Sequence, residues 1–359
     1  MSATVAPDDI VATHAEGAAN QREPLVVLEP LREFLANSGL PAPADLRLTP
    51  IGDGHSNVTF ALSTGVVLRR PPRGPLPPSA HDVLREARLL GALEPTPVRA
   101  PKVLAVCADQ HVIGAPFYVM EQVSGEVITH AIPPALDNPA QREQIADQLI
   151  DALVELHAVD WTAIGLDGFG KPTGYLERQL RRFGGLWEHN RTRELDEVEQ
   201  VGAWLESNVP QSPPATIVHG DYRLGNTMFA PDAPARLVAI FDWEMATIGD
   251  PLADVGYMMI HWTQADDEPS LKFNLQSVTR SPGFPTRKEL VARYEELSGR
   301  LVGALDWYVA LALWKAVVFM EGNYKRSLAG STDDPYLKSF GEGVVELAQR
   351  ALRVTRDGF

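Results

Sequence analysis

The chain has 359 residues, 45% of them apolar, and a formal charge of −15. That length accommodates two domains or lobes with a sizeable core, and the acidic balance excludes a general binder of nucleic-acid backbone, which needs a basic surface. A single cysteine, Cys107, excludes an internal disulfide framework and a cysteine metal cluster.

The N-terminal stretch MSATVAPDDIVATHAEGAANQREP lacks the basic start and apolar centre of a signal peptide. It is poor in Arg, and its composition predicts a disordered tail over residues 1–25. PLVVLEPLREFLANSG predicts an amphipathic helix ending at Gly39. LRLTPIGDGHSNVTFALSTGVVLRRP predicts two or three strands, with VTFAL and VVLRR separated by the turn Ser63-Thr64-Gly65. PPRGPLPP is expected to be a surface loop, because proline has no amide hydrogen to give a helix or a central strand. SAHDVLREARLLGAL predicts a helix that starts at Ser79 and carries Val83, Leu84, Ala87 and Leu90 at helical spacing. KVLAVCADQHVIGAPFYVMEQVSGE predicts two strands about a turn near Asp109–Gln110.

The rest is expected to be mostly helical. QREQIADQLIDALVELHAV places Ile145, Leu149, Leu153 and Leu156 on one face, and a second helical stretch runs from Lys288 to the end. Between them, TIVHGD, NTMFA and RLVAIFDW are three short strand-like runs, the last two separated by the PDAPA turn. WYVALALWKAVVFM, the longest apolar run, is too short to cross a bilayer and contains Lys315. The expected architecture is α+β: a β-rich small lobe over residues 26–124 and a larger helical lobe over 125–359. A soluble cytoplasmic protein is expected, with neither membrane nor nucleic acid as a partner.

The stretch VHGDYRLGN, residues 218–226, carries more chemistry than a turn requires. Asp221 follows an apolar strand on a loop, and Asn226 is five residues on. Asp242 ends the apolar run LVAIF, on the far arm of a hairpin. A hairpin brings its ends together, so Asn226 and Asp242 are expected side by side. An amide oxygen beside a carboxylate is a hard oxygen site of the kind Mg²⁺ takes when phosphates complete its shell. Asp221 would then stand close enough to orient or deprotonate an attacking hydroxyl.

HGDYRLGN followed by IFDWEMATIGDPLADVG resembles the aminoglycoside phosphotransferase-like enzymes, which share the protein-kinase fold. The likeness covers residues 45–330. VVLRRPPRGPLPPSAHDVLREARLL is most similar to the branch related to the N-terminal kinase-like domains of certain acyl-CoA dehydrogenases. The resemblance implies a protein-kinase-like two-lobe fold that uses ATP and Mg²⁺. Asp221 would be the catalytic base, and Asn226 and Asp242 the metal ligands, the roles those motifs hold in kinases generally. Arg223 would offset charge on the phosphoryl oxygens. IGDGHSN would be the loop over the phosphates, with Gly52 and Gly54 admitting backbone amides and Ser56 adding a hydroxyl; Asn57 stands where protein kinases keep a third Gly. Arg69 takes the place of the usual Lys, with Glu86 as its partner and Arg70 on the opposite face of the strand. FYVMEQVSGE would be the hinge, with Glu121 and Val123 offering backbone groups to adenine and Met120 at the back of the pocket.

Other conspicuous residues are expected to be structural. His219 would hold the loop as a buried donor, His157 would pack in the core, and Asp254 would hydrogen-bond the catalytic loop. Asp250 and Pro251 read as a helix cap with Pro at the first position. Tyr257, His261, Trp262, Trp314, Glu321 and Tyr324 are candidate walls for a small-molecule substrate. The leading function is therefore an ATP- and Mg²⁺-dependent kinase acting on a hydroxyl of a small molecule, either a hydroxyacyl or hydroxy-acid compound or an aminoglycoside-like one. The alternative is a nucleotide-binding pseudokinase or a regulatory partner of an acyl-CoA dehydrogenase.

Overall fold

A computed structural model describes residues 7–52, 57–74, 81–268, 277–330 and 335–359. The chain divides into two units, Met1–Ser124 and Gly125–Phe359.

In the first unit residues 7–25 form structure, contrary to the tail expected over residues 1–25; residues 1–6 lie outside the described residues. Strand β1 (Ile10–Val11) pairs in parallel with β2 (Val26–Val27), with the short helix α1 (His14–Gly17) between them. Composition alone missed the anchor. Asp9 is buried and pairs with Arg22 at 3.0 Å and with Arg73, so one carboxylate ties the segment to the proline-rich stretch. Helix α2 (Leu28–Asn37) follows and buries Leu31 and Leu35.

Five strands make the main sheet: β3 (Leu48–Ile51), β4 (Val58–Leu62), β5 (Val66–Arg70), β6 (Val103–Cys107) and β7 (Phe117–Glu121), in the order β3-β4-β5-β7-β6 and antiparallel throughout. Phe60, Leu68, Phe117 and Val119 join Leu31 and Leu35 in one core, where Phe34 meets Phe117 edge-on at 5.0 Å. Helix α3 (Val83–Leu93) packs on β6 and β7. Its cap is Asp82, whose carboxylate accepts the Arg85 amide at 3.0 Å. The cap expected at Ser79 lies outside the described residues.

The second unit begins with β8 (Glu126–Val127), which extends a sheet of β10 (Thr227–Phe229) and β11 (Leu237–Ile240) in the order β11-β10-β8. A second pair joins β9 (Thr216–Val218) to β12 (Thr247–Gly249). Helices α4 (Pro139–His157), α5 (Tyr175–Asn190), α6 (Asp196–Ser207), α7 (Leu252–His261), α8 (Arg287–Ser298), α9 (Leu305–Leu328) and α10 (Pro335–Asp357) make up most of the remainder. Asn138 caps α4 by accepting the Gln141 amide at 3.2 Å, with Pro139 at the first helical position. Thr286 and Glu289 form a reciprocal capping box on α8. The apolar run of α9 is buried because α5, α6, α7 and α10 all pack on it. Among the described residues no helix is long and apolar enough to cross a membrane.

Candidate active site

The loop from β9 to β10 alternates in direction. Tyr222 and Leu224 are buried, and the Tyr222 hydroxyl donates to the Leu149 carbonyl on α4 at 2.6 Å. Asp221 and Arg223 therefore emerge on the other side, both partly exposed. Gly220 makes the turn before them at φ +86°, and a Cβ there would lie 2.9 Å from the Met245 carbonyl oxygen. Only glycine satisfies both conditions. The 3₁₀ turn Leu224–Asn226 then brings Asn226 back over the loop.

Asn226 donates from Nδ2 to the Asp221 carbonyl at 2.8 Å and to the Asp221 Oδ2 at 2.7 Å. Its amide hydrogens are thereby used on Asp221, and Oδ1 remains as an acceptor-only oxygen. The hairpin closes as its sequence predicts: Thr227 faces Ile240, and the Phe241 amide donates to the Asn226 carbonyl at 2.8 Å. Asp242 follows directly, at φ +63°. That conformation costs a non-glycine residue about 1–3 kcal/mol, and such strain gathers at functional sites. Asp is among the few residues that adopt it at modest cost.

His219 ties the two acidic positions together. Its Nε2 donates to the Phe241 carbonyl at 2.8 Å, which leaves Nδ1 to accept the Asp221 amide at 3.2 Å. The ring is fully buried, tilted against Trp243 with centroids 4.7 Å apart, and fixed in the Nε2–H tautomer by these two partners. Beneath the loop, Asp254 accepts the His219 amide at 2.7 Å, the Gly220 amide at 2.8 Å and His157 Nε2 at 3.2 Å. Asp250 caps α7 through the Leu252 amide at 2.9 Å and accepts the Tyr308 hydroxyl at 2.8 Å.

Among the described residues no donor hydrogen-bonds the buried Asp221 Oδ1; Arg223 Nε pairs with it at 3.4 Å. Burial, then the Asp221 charge and a hydrogen bond to the Asp221 side chain, push the Tyr257 phenol well above its ordinary range. Burial, with Arg223 and Arg350 adding to it, pushes His261 down to about 3, so that ring is neutral at pH 7. Tyr257 and His261 lie 4.7 Å apart, ring to ring.

The other proposed walls divide. Trp262 donates to the Pro285 carbonyl and Trp314 to the Val198 carbonyl, and both are buried as core. Glu321 is also a structural anchor: it accepts the Thr192 amide and hydroxyl and pairs with Arg193 at 2.9 Å. Tyr324 lies under that same Arg193.

In the first unit, Arg69 Nε meets Glu86 Oε2 at 3.0 Å, with Thr59 accepting from Arg69 at 3.3 Å. Arg70 turns to the other face, donates to the Leu25 and Ile113 carbonyls, and is pushed down to about 10 by burial. Gly52 is exposed at φ +85°, whereas Gly54 and Ser56 lie outside the described residues. Asn57, beside them, donates to Glu86 Oε2 at 3.5 Å. Glu121 ends β7 with its amide on the Lys102 carbonyl at 2.9 Å, and Val123 is partly exposed two residues later. Because Glu86 is buried and Arg69 nearly so, Arg69→Ala is expected to destabilise this unit by about 3 kcal/mol, with much less lost in a Glu86→Ala background. A double-mutant cycle in urea measures that coupling, and additive losses would show that the pair is not a unit.

The sequence profile of the phosphotransferase enzyme family, APH, matches residues 47–290, more than half of the chain. The chain belongs to that family. Among curated relatives, the chain is 34% identical over 320 residues to mouse acyl-CoA dehydrogenase family member 10 and 31% identical over 337 residues to human acyl-CoA dehydrogenase family member 11. These alignments cover 88% and 92% of this chain but 30% and 42% of the relatives, so the chain spans well under half their length. Among solved structures it is similar to one from Ralstonia eutropha JMP134, provisionally described as an aminoglycoside phosphotransferase: 30% identity, TM-score 0.78, covering 91% of this chain and 98% of that one. A choline/ethanolamine kinase family protein from Mesorhizobium loti, at 19% identity and TM-score 0.57 over 91% of this chain and 95% of its own, shares the fold. The chain thus has a kinase-like α+β fold, with a sheet-rich unit preceding a helical one.

Proposed function

We propose that this phosphotransferase moves the γ-phosphoryl group of ATP to a hydroxyl of an anionic small molecule, a hydroxy acid or its acyl-CoA ester. The observation that carries the reading is the buried, donor-free Oδ1 of Asp221, held by Asn226 and flanked by Arg223. A buried carboxylate oxygen left without a donor is costly, and a substrate hydroxyl supplies one. Asp221 orients that hydroxyl for in-line attack. As the new oxygen–phosphorus bond forms, the bond from the γ-phosphorus to the bridging oxygen of ADP breaks, and the hydroxyl proton passes to Asp221. Arg223 offsets negative charge on the transferring group.

Asn226 and Asp242 are the residues that would hold Mg²⁺, one through an amide oxygen and the other through a carboxylate. Two oxygen ligands leave the rest of the shell to phosphates and water, as Mg²⁺ usually takes it. Bound there, magnesium supplies charge neutralisation for the phosphates. Asp242→Asn keeps the left-handed backbone accessible and removes the charge. It is expected to weaken ATP binding in the presence of Mg²⁺ at least about tenfold, with metal-free binding unchanged. Calorimetry with and without Mg²⁺ reads this directly, and equal losses in both would remove Asp242 from the metal site.

The anionic acceptor is favoured by the electrostatics around Asp221. Arg223 and Arg350 bear on His261, and Arg182 bears on Lys315. These cations give an anionic group a partner, beside the Asp221 and Asp254 carboxylates. The kinship with acyl-CoA dehydrogenase family members points the same way. The test is ATP consumption with Mg²⁺ across hydroxy acids, hydroxyacyl-CoA esters and aminoglycosides. Turnover confined to aminoglycosides would overturn the acceptor class. No turnover alongside clear Mg·ATP stabilisation would favour a regulatory nucleotide-binding role.

A further inference from the structure

Lys315 is the one charged residue in WYVALALWKAVVFM on α9. It is partly buried, and burial followed by the Arg182 charge pushes its ammonium down to about 8 against the pull of Asp254 and Asp221. Among the described residues no carboxylate lies within ion-pair reach of it and no acceptor takes a hydrogen bond from it. Its one close partner is the ring of Phe183 on α5, 4.9 Å from Nζ. A cation over a ring recovers about 0.5–2 kcal/mol, too little to account for placing a charge in an apolar helix beside the catalytic loop.

The position is specific. Leu311, Ala312 and Lys315 line one small cavity together with Gly220, Asp254 and Tyr257, so the lysine stands against the residue that precedes Asp221. The cavity has room for about one water and no ligand, and the ammonium turns toward α5, over Phe183. One turn further along α9, Phe319 is 44% exposed and packs edge-on against Phe183 at 5.4 Å. Arg182, also exposed, adjoins the same ring. An unpaired ammonium and the exposed Phe319 ring thus both pack on the buried Phe183 ring, within electrostatic reach of Asp221.

We infer that Lys315 is the residue that reads the acceptor's charge: its ammonium pairs with an anionic group of the molecule whose hydroxyl meets Asp221, and the exposed Phe319 ring takes the apolar part. This rests on the phosphotransferase reading above but is tested apart from it, by binding without ATP. The anion is a free carboxylate or a phosphate of a CoA ester, and paired probes separate the two. 3-Hydroxyoctanoate is compared with 3-hydroxyoctanamide, and 3-hydroxyoctanoyl-CoA with the phosphate-free pantetheine thioester.

In calorimetry on the full chain, the wild type is expected to prefer the anionic member of at least one pair by about tenfold or more. Lys315→Met collapses that preference, and Lys315→Arg retains it. Thermal unfolding of each variant separates loss of the cation from loss of the fold. A wild type that binds neither pair, or binds both members of each equally, overturns the inference, as does a preference that survives in a folded Lys315→Met. Preferential binding of the anion with no ATP consumption would instead fault the phosphotransferase reading and leave Lys315 as an anion site.

Discussion

Asp221→Ala is expected to lower phosphoryl transfer by about 10²- to 10⁴-fold, the usual range for removing a positioned base, while the affinity for Mg·ATP stays within about twofold. The separation follows from the geometry. Asp221 reaches the loop surface with one oxygen held by Asn226 and the other without a donor, whereas the residues that would hold metal are Asn226 and Asp242. The variant frees the Asn226 side-chain amide from Oδ2, but the second bond, to the residue 221 carbonyl, survives because it is made to backbone. Asn226 therefore keeps one of its two tethers. Steady-state rates with the best acceptor, set beside calorimetry of Mg·ATP, decide the matter. A variant that turns over normally would remove Asp221 from the chemistry. One that loses nucleotide binding in parallel would make it a metal or loop-folding residue.

The part of this site that could be read from sequence is local in the chain. Asp221, Asn226 and Asp242 are joined by one loop and one hairpin, and hairpin register follows from strand pattern and turn length, so their meeting was predictable. Arg69 and Glu86 are a strand residue and a helix residue only 17 positions apart, and Arg70 faces away because strands alternate. What sequence could not supply was contact at long range. The Asp9–Arg73 tie spans 64 residues, and without it the N-terminal segment is polar enough to pass for a free tail. Glu321 looked available for substrate, but residues 192 and 193 consume it from nearly 130 positions away. Lys315 offered one signal, a lone cation in an apolar helix, which marks an exception without saying what it serves. Only the placement of α9 against Gly220 and Phe183 gives it a location.

Asp254→Ala is expected to cost about 3–5 kcal/mol of stability, the range for removing one partner from a buried, hydrogen-bonded charge. Its carboxylate is fully buried and accepts three donors: two consecutive backbone amides of the β9–β10 loop and the His157 ring. Neither amide can turn elsewhere, because Gly220 sits in a left-handed turn against Met245. Asp254→Asn is expected to be nearly as damaging, since its NH₂ would confront a donor in place of an acceptor. His157 adds a pH dependence with a definite sign. Burial holds its pKa below the ordinary 6.5, so it is neutral in the fold, donating from Nε2 to Asp254 with Nδ1 bonded to the Tyr294 hydroxyl at 2.9 Å. Below pH 6.5 the unfolded chain binds a proton there that the folded chain resists. This contribution to stability is complete above that pH and is lost as the pH falls. Urea unfolding at pH 7.5 and pH 5.5 measures both effects. A loss below 1 kcal/mol in Asp254→Ala would show that the loop is held by other contacts, and a His157→Gln variant with unchanged pH sensitivity would assign the acid-side loss to another group.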